Sequence, residues 1–254
     1  MMRFILTLFL LCIASPSLVL AAGGGAKPKA QEWSFNGPFG TFDKAQLQRG
    51  FQVYSQVCAA CHELKRVAYR NLSALGYSDA EIKAIAAQYS TMDGPDDEGE
   101  MFERPMKPSD KFKSPYPNDN AARYANNGAL PPDLSLITKA RVGGADYLYG
   151  LLTGYTEPPE DEELLSGQHW NKYMAGHKIA MAAPLSDDMV GYEDGTETTL
   201  SQYAKDVSAF LTWTAEPEME VRKRTGIKVI LFMLVFAGLL YGVKKKIWAD
   251  VKKK

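Results

Sequence analysis

The strongest constraint on this chain is the five-residue run Cys58-Ala59-Ala60-Cys61-His62. Two thiols separated by two residues can each add across one vinyl group of a porphyrin. The histidine that follows then lies under the ring and can ligate the iron. A chain that carries such a group must fold around it. A zinc site would need further thiols or histidines at paired spacing, and the remaining histidines are His169 and His177, well apart from the run. A thioredoxin-like redox pair belongs at a helix start in a βαβ setting, which the surrounding pattern lacks. Chance is opposed by scarcity, since only 3 cysteines occur in 254 residues. The run predicts one covalently bound haem c, held by Cys58 and Cys61, with His62 as an axial ligand.

The first residues read as a secretory signal over 1–22. Arg3 precedes an apolar run from Phe4 to Ile13, and Leu18-Val19-Leu20-Ala21-Ala22 forms a small-residue exit. An uncleaved anchor is the competing reading, opposed by the shortness of the run and by Ser15-Pro16-Ser17. Cys12 lies inside this segment, so cleavage near Ala21 or Ala22 leaves two cysteines, both committed to haem. Export suits haem attachment, which takes place on the outer side of an energy-coupling membrane.

A second apolar segment runs from Val229 to Val243. Its fifteen residues are short for about 30 Å of hydrocarbon, but Thr225 to Val243 suffices if Lys228 snorkels to the interface. Basic clusters on both flanks and the lack of a polar face favour a span over a buried core helix. These features predict a single transmembrane anchor at 222–243 and a basic cytoplasmic tail at 244–254. The tail carries Lys244, Lys245, Lys246, Lys252, Lys253 and Lys254 against one acid, Asp250, as charge bias toward the cytoplasm requires. Arg222, Lys223, Arg224 and Lys228 on the other flank weaken that argument, so the signal decides the orientation. The expected location is a bacterial inner membrane, crossed once, with the haem domain (23–221) in the periplasm.

A net charge of −1 conceals an asymmetry: residues 23–221 hold 18 basic and 29 acidic groups, a net of −11. An exported domain this acidic repels nucleic acid and attracts a basic partner over about a Debye length. Glu157-Pro158-Pro159-Glu160-Asp161-Glu162-Glu163 and the acids Asp96, Asp97, Glu98 and Glu100 are candidates for steering such a partner. A merely solvated charge run is the competing reading for each.

The spacing of Leu47, Phe51, Tyr54 and Val57 predicts a helix, capped by Asp43, that runs into the haem motif. Leu200, Tyr203, Val207, Phe210 and Leu211 predict a second, from about Thr199 to Ala215, closed by Glu216-Pro217. An early cysteine-bearing helix packed on the domain's last helix would show these stripes, as would two ordinary core helices. Residues 91–120 contain five prolines and few large apolar groups, which predicts a surface excursion rather than core. No strand-rich block is evident. The fold class expected is a mostly α c-type cytochrome domain with long loops, plus one C-terminal transmembrane helix.

An electron carrier fills both axial positions of its iron. A thioether favours ferrous iron and raises the potential, whereas a second imidazole lowers it. Met181 has the most suitable surroundings, because Ile179-Ala180-Met181-Ala182-Ala183-Pro184 is apolar, small and stiffened by proline. His177 is the next candidate. Met174 lies in a more polar stretch, Met189 beside two aspartates, and Met92, Met101 and Met106 in the excursion. A methionine is most often core filler.

Taken in order, several segments resemble the cytochrome c1 family, the haem-bearing subunits of the quinol–cytochrome c reductase (cytochrome bc1) complex. They are Gln48-Arg49-Gly50-Phe51-Gln52-Val53-Tyr54, Ala125-Asn126-Asn127-Gly128-Ala129-Leu130-Pro131-Pro132-Asp133-Leu134-Ser135, Leu151-Leu152-Thr153-Gly154-Tyr155, Ile179-Ala180-Met181-Ala182 and Trp213-Thr214-Ala215-Glu216-Pro217-Glu218. The likeness covers nearly all of 23–254, with the leader and 91–120 matched least. It implies that Met181 is the sixth ligand and that Arg141 and Tyr147 lie near the haem propionates. It also implies that Asn126, Ala129, Leu130, Pro131, Pro132, Ile137 and Ile179 line the pocket.

The resemblance further implies electron transfer from a Rieske iron–sulfur protein to a soluble basic cytochrome c, alongside cytochrome b. The chain would be an electron-transfer subunit of an oxidoreductase, with no independent catalysis expected. The alternatives are another membrane-anchored monohaem donor and a haem sensor with an open sixth site.

Overall fold

A computed structural model describes residues 25–249. The signal segment, Cys12, Asp250 and Lys252 to Lys254 lie outside the described residues. The fold is mostly helical, as the sequence predicts. Helix α1 (Lys44–Gln56) is capped by Asp43, whose carboxylate accepts from the amides of Ala45 (2.9 Å) and Gln46 (3.2 Å). Helix α2 spans Asp79–Ala87, with a reciprocal Ser78–Glu81 capping box. Then follow α3 (Asp119–Ala125), α4 (Gly144–Thr153), α5 (Leu200–Ala215) and α6 (Met219–Ile247). Two short antiparallel ladders interrupt the helices: β1 (Ser90–Asp93) with β2 (Phe102–Pro105), and β3 (His169–Trp170) with β4 (Lys178–Ile179).

Helices α1 and α5 form the spine of the domain. Their apolar stripes meet in an aromatic cluster, where Phe210 touches Phe51 and Tyr54 at ring-centroid distances of 5.8 Å. Gly50 sits at the crossing. A Cβ there would lie 2.2 Å from the carbonyl oxygen of Asp206 and 2.6 Å from the Cβ of Phe210, so this approach requires glycine. Beside the crossing, the fully buried Asp206 carboxylate accepts from Arg49 Nε (2.9 Å), Gln46 Nε2 (3.2 Å) and Gln202 Nε2 (2.8 Å). Arg49 also pairs with Asp194 at 2.7 Å and lies over the Tyr192 ring. A buried carboxylate is tolerated here because three donors converge on it.

The expectation that 91–120 stays out of the core needs correction. The β1–β2 hairpin turns the chain back, Arg104 pairs with both Asp93 and Asp110, and Met106 and Phe112 are buried. Phe112 packs within the aromatic cluster, tilted against Tyr69 at a centroid distance of 4.7 Å. The polar composition of the hairpin masked two isolated apolar side chains that return to the core.

Helix α6 is 29 residues long, about 43 Å at 1.5 Å per residue. It is the one helix among the described residues long and apolar enough to cross a membrane, with a mean hydropathy of 2.2 and no burial against the domain over that stretch. It starts three residues before the anchor boundary predicted at 222 and runs four beyond 243. Its first turn is fastened to the domain. Lys223 Nζ donates to the carbonyls of Phe35 (2.6 Å) and Gly40 (3.2 Å), and Glu220 accepts from the Phe42 amide at 2.8 Å. Glu216 receives both Lys139 and Arg222. Two of the basic residues that blur the charge bias therefore have structural partners.

Candidate haem site

The haem motif begins where α1 ends. Cys58–Ala60 forms a single 3₁₀ turn, in which the Cys58 carbonyl accepts from the amides of Cys61 (3.1 Å) and His62 (2.9 Å). This turn brings the two cysteines onto one side, and no disulfide joins them. Packing against the core pushes the Cys58 thiol up to about 12. The buried Tyr54 hydroxyl donates to the His62 carbonyl at 3.1 Å, tying the end of the motif back to α1.

His62 is oriented by a second segment. Its Nδ1 lies 2.8 Å from the Pro132 carbonyl, which fixes the tautomer with the proton on Nδ1 and leaves Nε2 with its lone pair. Burial lowers the pKa of His62, partly opposed by that carbonyl, so the neutral ring is favoured. The same segment is clipped along 62–66. The Leu134 amide donates to the Glu63 carbonyl (2.9 Å), the Arg66 amide donates to Ser135 Oγ (3.1 Å), and Asp133 receives both the amide and hydroxyl of Ser135. The Pro-Pro-Asp-Leu-Ser run thus buttresses the histidine.

Of the other predicted lining residues, Asn126 donates from Nδ2 to the Tyr116 hydroxyl (3.1 Å) and to the Ala122 carbonyl (2.7 Å). Tyr116 in turn reaches Cys61 Sγ at 3.9 Å. Ala129 and Pro131 are half-buried, Leu130 is 36 % exposed, Ile137 is buried in the core, and Ile179 is half-buried on β4 opposite His169. Arg141 and Tyr147 flank the turn that opens α4. Arg141 is exposed and donates to the carbonyl of Ala140, while the Tyr147 hydroxyl donates to Met174 Sδ at 3.8 Å. Met181 follows β4, half-buried, and its carbonyl accepts from the Tyr155 hydroxyl at 3.0 Å. His177 adopts φ 62°, stacks on Trp170 at 4.9 Å, and has Nδ1 3.3 Å from the Asn171 carbonyl.

Sequence reasoning missed Tyr116 and Asn171. Tyr116 sits in the excursion set aside as surface. Asn171 is 0 % exposed, and a buried asparagine carries no pattern by which a sequence would reveal it. Among the acidic candidates, Glu162 pairs with Lys178 at 2.9 Å, and Asp96 accepts from the Glu98 and Glu100 amides within its own turn.

The donor set suits a haem attached by thioethers. It presents two thiols on one turn and an imidazole with a free nitrogen. Among the described residues no group of three or more His, Cys, Asp or Glu side chains could hold a bare metal ion.

Comparison with known proteins agrees. The model of the Cytochrome C1 family matches residues 33–251. The Rhodospirillum rubrum protein named "Cytochrome c1" is 48 % identical over 263 residues, covering 94 % of this chain and 97 % of its own. The Saccharomyces cerevisiae "Cytochrome c1, heme protein, mitochondrial" is 52 % identical over 233 residues, covering 91 % of this chain and 75 % of its own. The Bradyrhizobium diazoefficiens "Cytochrome b/c1" is 51 % identical over 249 residues, and the match spans 89 % of this chain but 36 % of that longer protein. Proteins of this family carry covalently bound haem c and serve electron transport in the cytochrome bc1 complex. This chain, with its single apolar C-terminal helix, belongs to the cytochrome c1 family.

Proposed function

We propose that this chain takes single electrons from a Rieske iron–sulfur protein and passes them to a soluble basic cytochrome c, while cytochrome b oxidises quinol beside it. The observation that carries the reading is the His62 imidazole, held through Nδ1 by Pro132 next to two thiols on one turn. When bound, the haem supplies a one-electron iron couple.

The residues of the chain hold it and set its surroundings. Cys58 and Cys61 would attach it, and His62 Nε2 and Met181 Sδ would ligate its iron. Arg141 and Tyr147 face the propionates, where a guanidinium offsets carboxylate charge. Asn126, Ala129, Leu130, Pro131, Pro132, Ile137 and Ile179 line the pocket. The chain breaks no substrate bond. It supplies a potential, an accessible edge and a docking surface, and its acidic loops attract a basic carrier.

The division into a cleaved signal (1–22), a haem domain (23–221), an anchor (222–243) and a tail (244–254) puts the haem domain in the periplasm of a bacterial inner membrane. Nucleic acid is not among the partners, given the net charge of −11 over 23–221.

Met181→Leu tests the ligand set. Removing the soft thioether should lower the potential strongly in a redox titration of the purified membrane complex. An unchanged potential would transfer the role to His177. Copurification with cytochrome b and a Rieske protein separates this function from that of another anchored monohaem donor.

A further inference from the structure

The segment Leu151-Leu152-Thr153-Gly154-Tyr155 has no part in holding the haem in the reading above, yet it contacts the loop that presents Met181. Each contact points the same way. The Asn171 side chain, fully buried, donates from Nδ2 to the Leu151 carbonyl at 2.7 Å and accepts the amides of Tyr173 (3.0 Å) and Met174 (3.3 Å). The Asn171 amide donates to the His177 carbonyl at 2.8 Å, closing the loop at its root. The Lys172 amide donates to the Gly154 carbonyl at 3.0 Å, and Tyr155 forms a bridge with Asn171.

The Tyr173 ring lies on the end of α4 where Gly150 and Gly154 stand one turn apart. A Cβ at Gly154 would come within 2.5 Å of Tyr173 Cδ2, so the seat exists only because that residue is glycine. Past β4, one side-chain hydrogen bond reaches the methionine itself, from the Tyr155 hydroxyl to the Met181 carbonyl.

We infer that Tyr155 is a positioning residue: its hydroxyl latches the Met181 backbone to the end of α4 and holds in place the loop that would offer the sixth ligand. The root of the loop is pinned by Asn171 and Tyr173, so the far end is the part free to swing. The Tyr155 bond sets how often it does. The inference rests on Met181 being the ligand.

The test is imidazole binding to the ferric, detergent-solubilised full-length holoprotein, followed by the near-red sulfur-to-iron absorption band. Imidazole enters only when the loop opens. Tyr155→Phe keeps the ring and removes one hydrogen bond, which should raise the open population, and the imidazole association rate with it, about fivefold. Tyr149→Phe is the control, because its hydroxyl bonds Ser201 at 2.9 Å on α5, away from the loop. An unchanged rate in Tyr155→Phe, or an equal rise in Tyr149→Phe, would overturn the latch. Met181→Leu separates the two readings. If it binds imidazole no faster than the parent, the ligand assignment fails. If it binds faster and Tyr155→Phe does not, the ligand assignment stands and the latch alone falls.

Discussion

Gly50→Ala sets two physical effects of opposite sign against each other. Position 50 lies inside α1, where alanine is preferred over glycine by about 1 kcal/mol, so helix propensity alone predicts stabilisation. The crossing with α5 predicts the reverse. A methyl group would lie 2.2 Å from the Asp206 oxygen, 2.7 Å from the Asp206 carbonyl carbon and 2.6 Å from Phe210 Cβ, whereas ordinary contact begins near 3.4 Å. Two of these three atoms are α5 backbone, so no side-chain rotation relieves the clash and the helices must move apart. Overpacking of this kind costs about 1–3 kcal/mol. Loosening of the buried Arg49–Asp206 pair, which sits at the same crossing, adds to it.

The net expectation is a loss of about 2 kcal/mol, equivalent to a fall in Tm of about 4–8 °C for a domain of this size. Far-ultraviolet circular dichroism melts of the solubilised holoprotein read it directly. A Tm equal to or above that of the parent would refute the close-approach argument, because propensity would then have decided the sign.

Three further outcomes are expected. Asp206→Ala leaves the Arg49 guanidinium, 16 % exposed, without its buried partner and should cost about 3 kcal/mol in chemical denaturation, with Asp206→Asn costing less. The Asp194 carboxyl is held down to about 2 by hydrogen bonds from Thr196 and then by Arg49. Its folded pKa lies below the unfolded value of about 4, so its stabilisation is present above pH ~4 and is lost as pH falls toward 2. The gap in denaturation midpoint between the parent and Asp194→Asn should close over that interval, and a gap independent of pH would contradict the assignment. Electron transfer to a basic cytochrome should slow steeply as ionic strength rises, and a rate flat between low and high salt would remove the steering role of the acidic loops.

What the sequence disclosed was local in character. The haem run, the Asp43 cap and the stripes of α1 and α5 depend on neighbours within a few residues, and a period of 3.6 exposes them. Long-range pairings stayed hidden. Nothing around Gly50 announces that another backbone passes within contact distance, and nothing around Pro132 announces that its carbonyl orients a histidine seventy residues earlier. Phe112 and Met106 were misplaced because each is an isolated apolar residue in a polar, proline-rich stretch, with no period to betray a buried face. Lys223 reads as flanking charge for a membrane helix, although its carbonyl partners, Phe35 and Gly40, lie near the other end of the chain. In each case the missing information is which distant groups meet, and resemblance to known proteins supplies that where periodicity does not.

The fastening of α6 has a mechanical consequence. With Lys223 and Glu220 hydrogen-bonded to the chain at 35–42, and α5 running into α6 through a three-residue corner, the stalk is fastened to the globule at two places instead of hanging from one. A tilt of the stalk is thereby resisted by the globule that carries the Cys58–Ala60 turn.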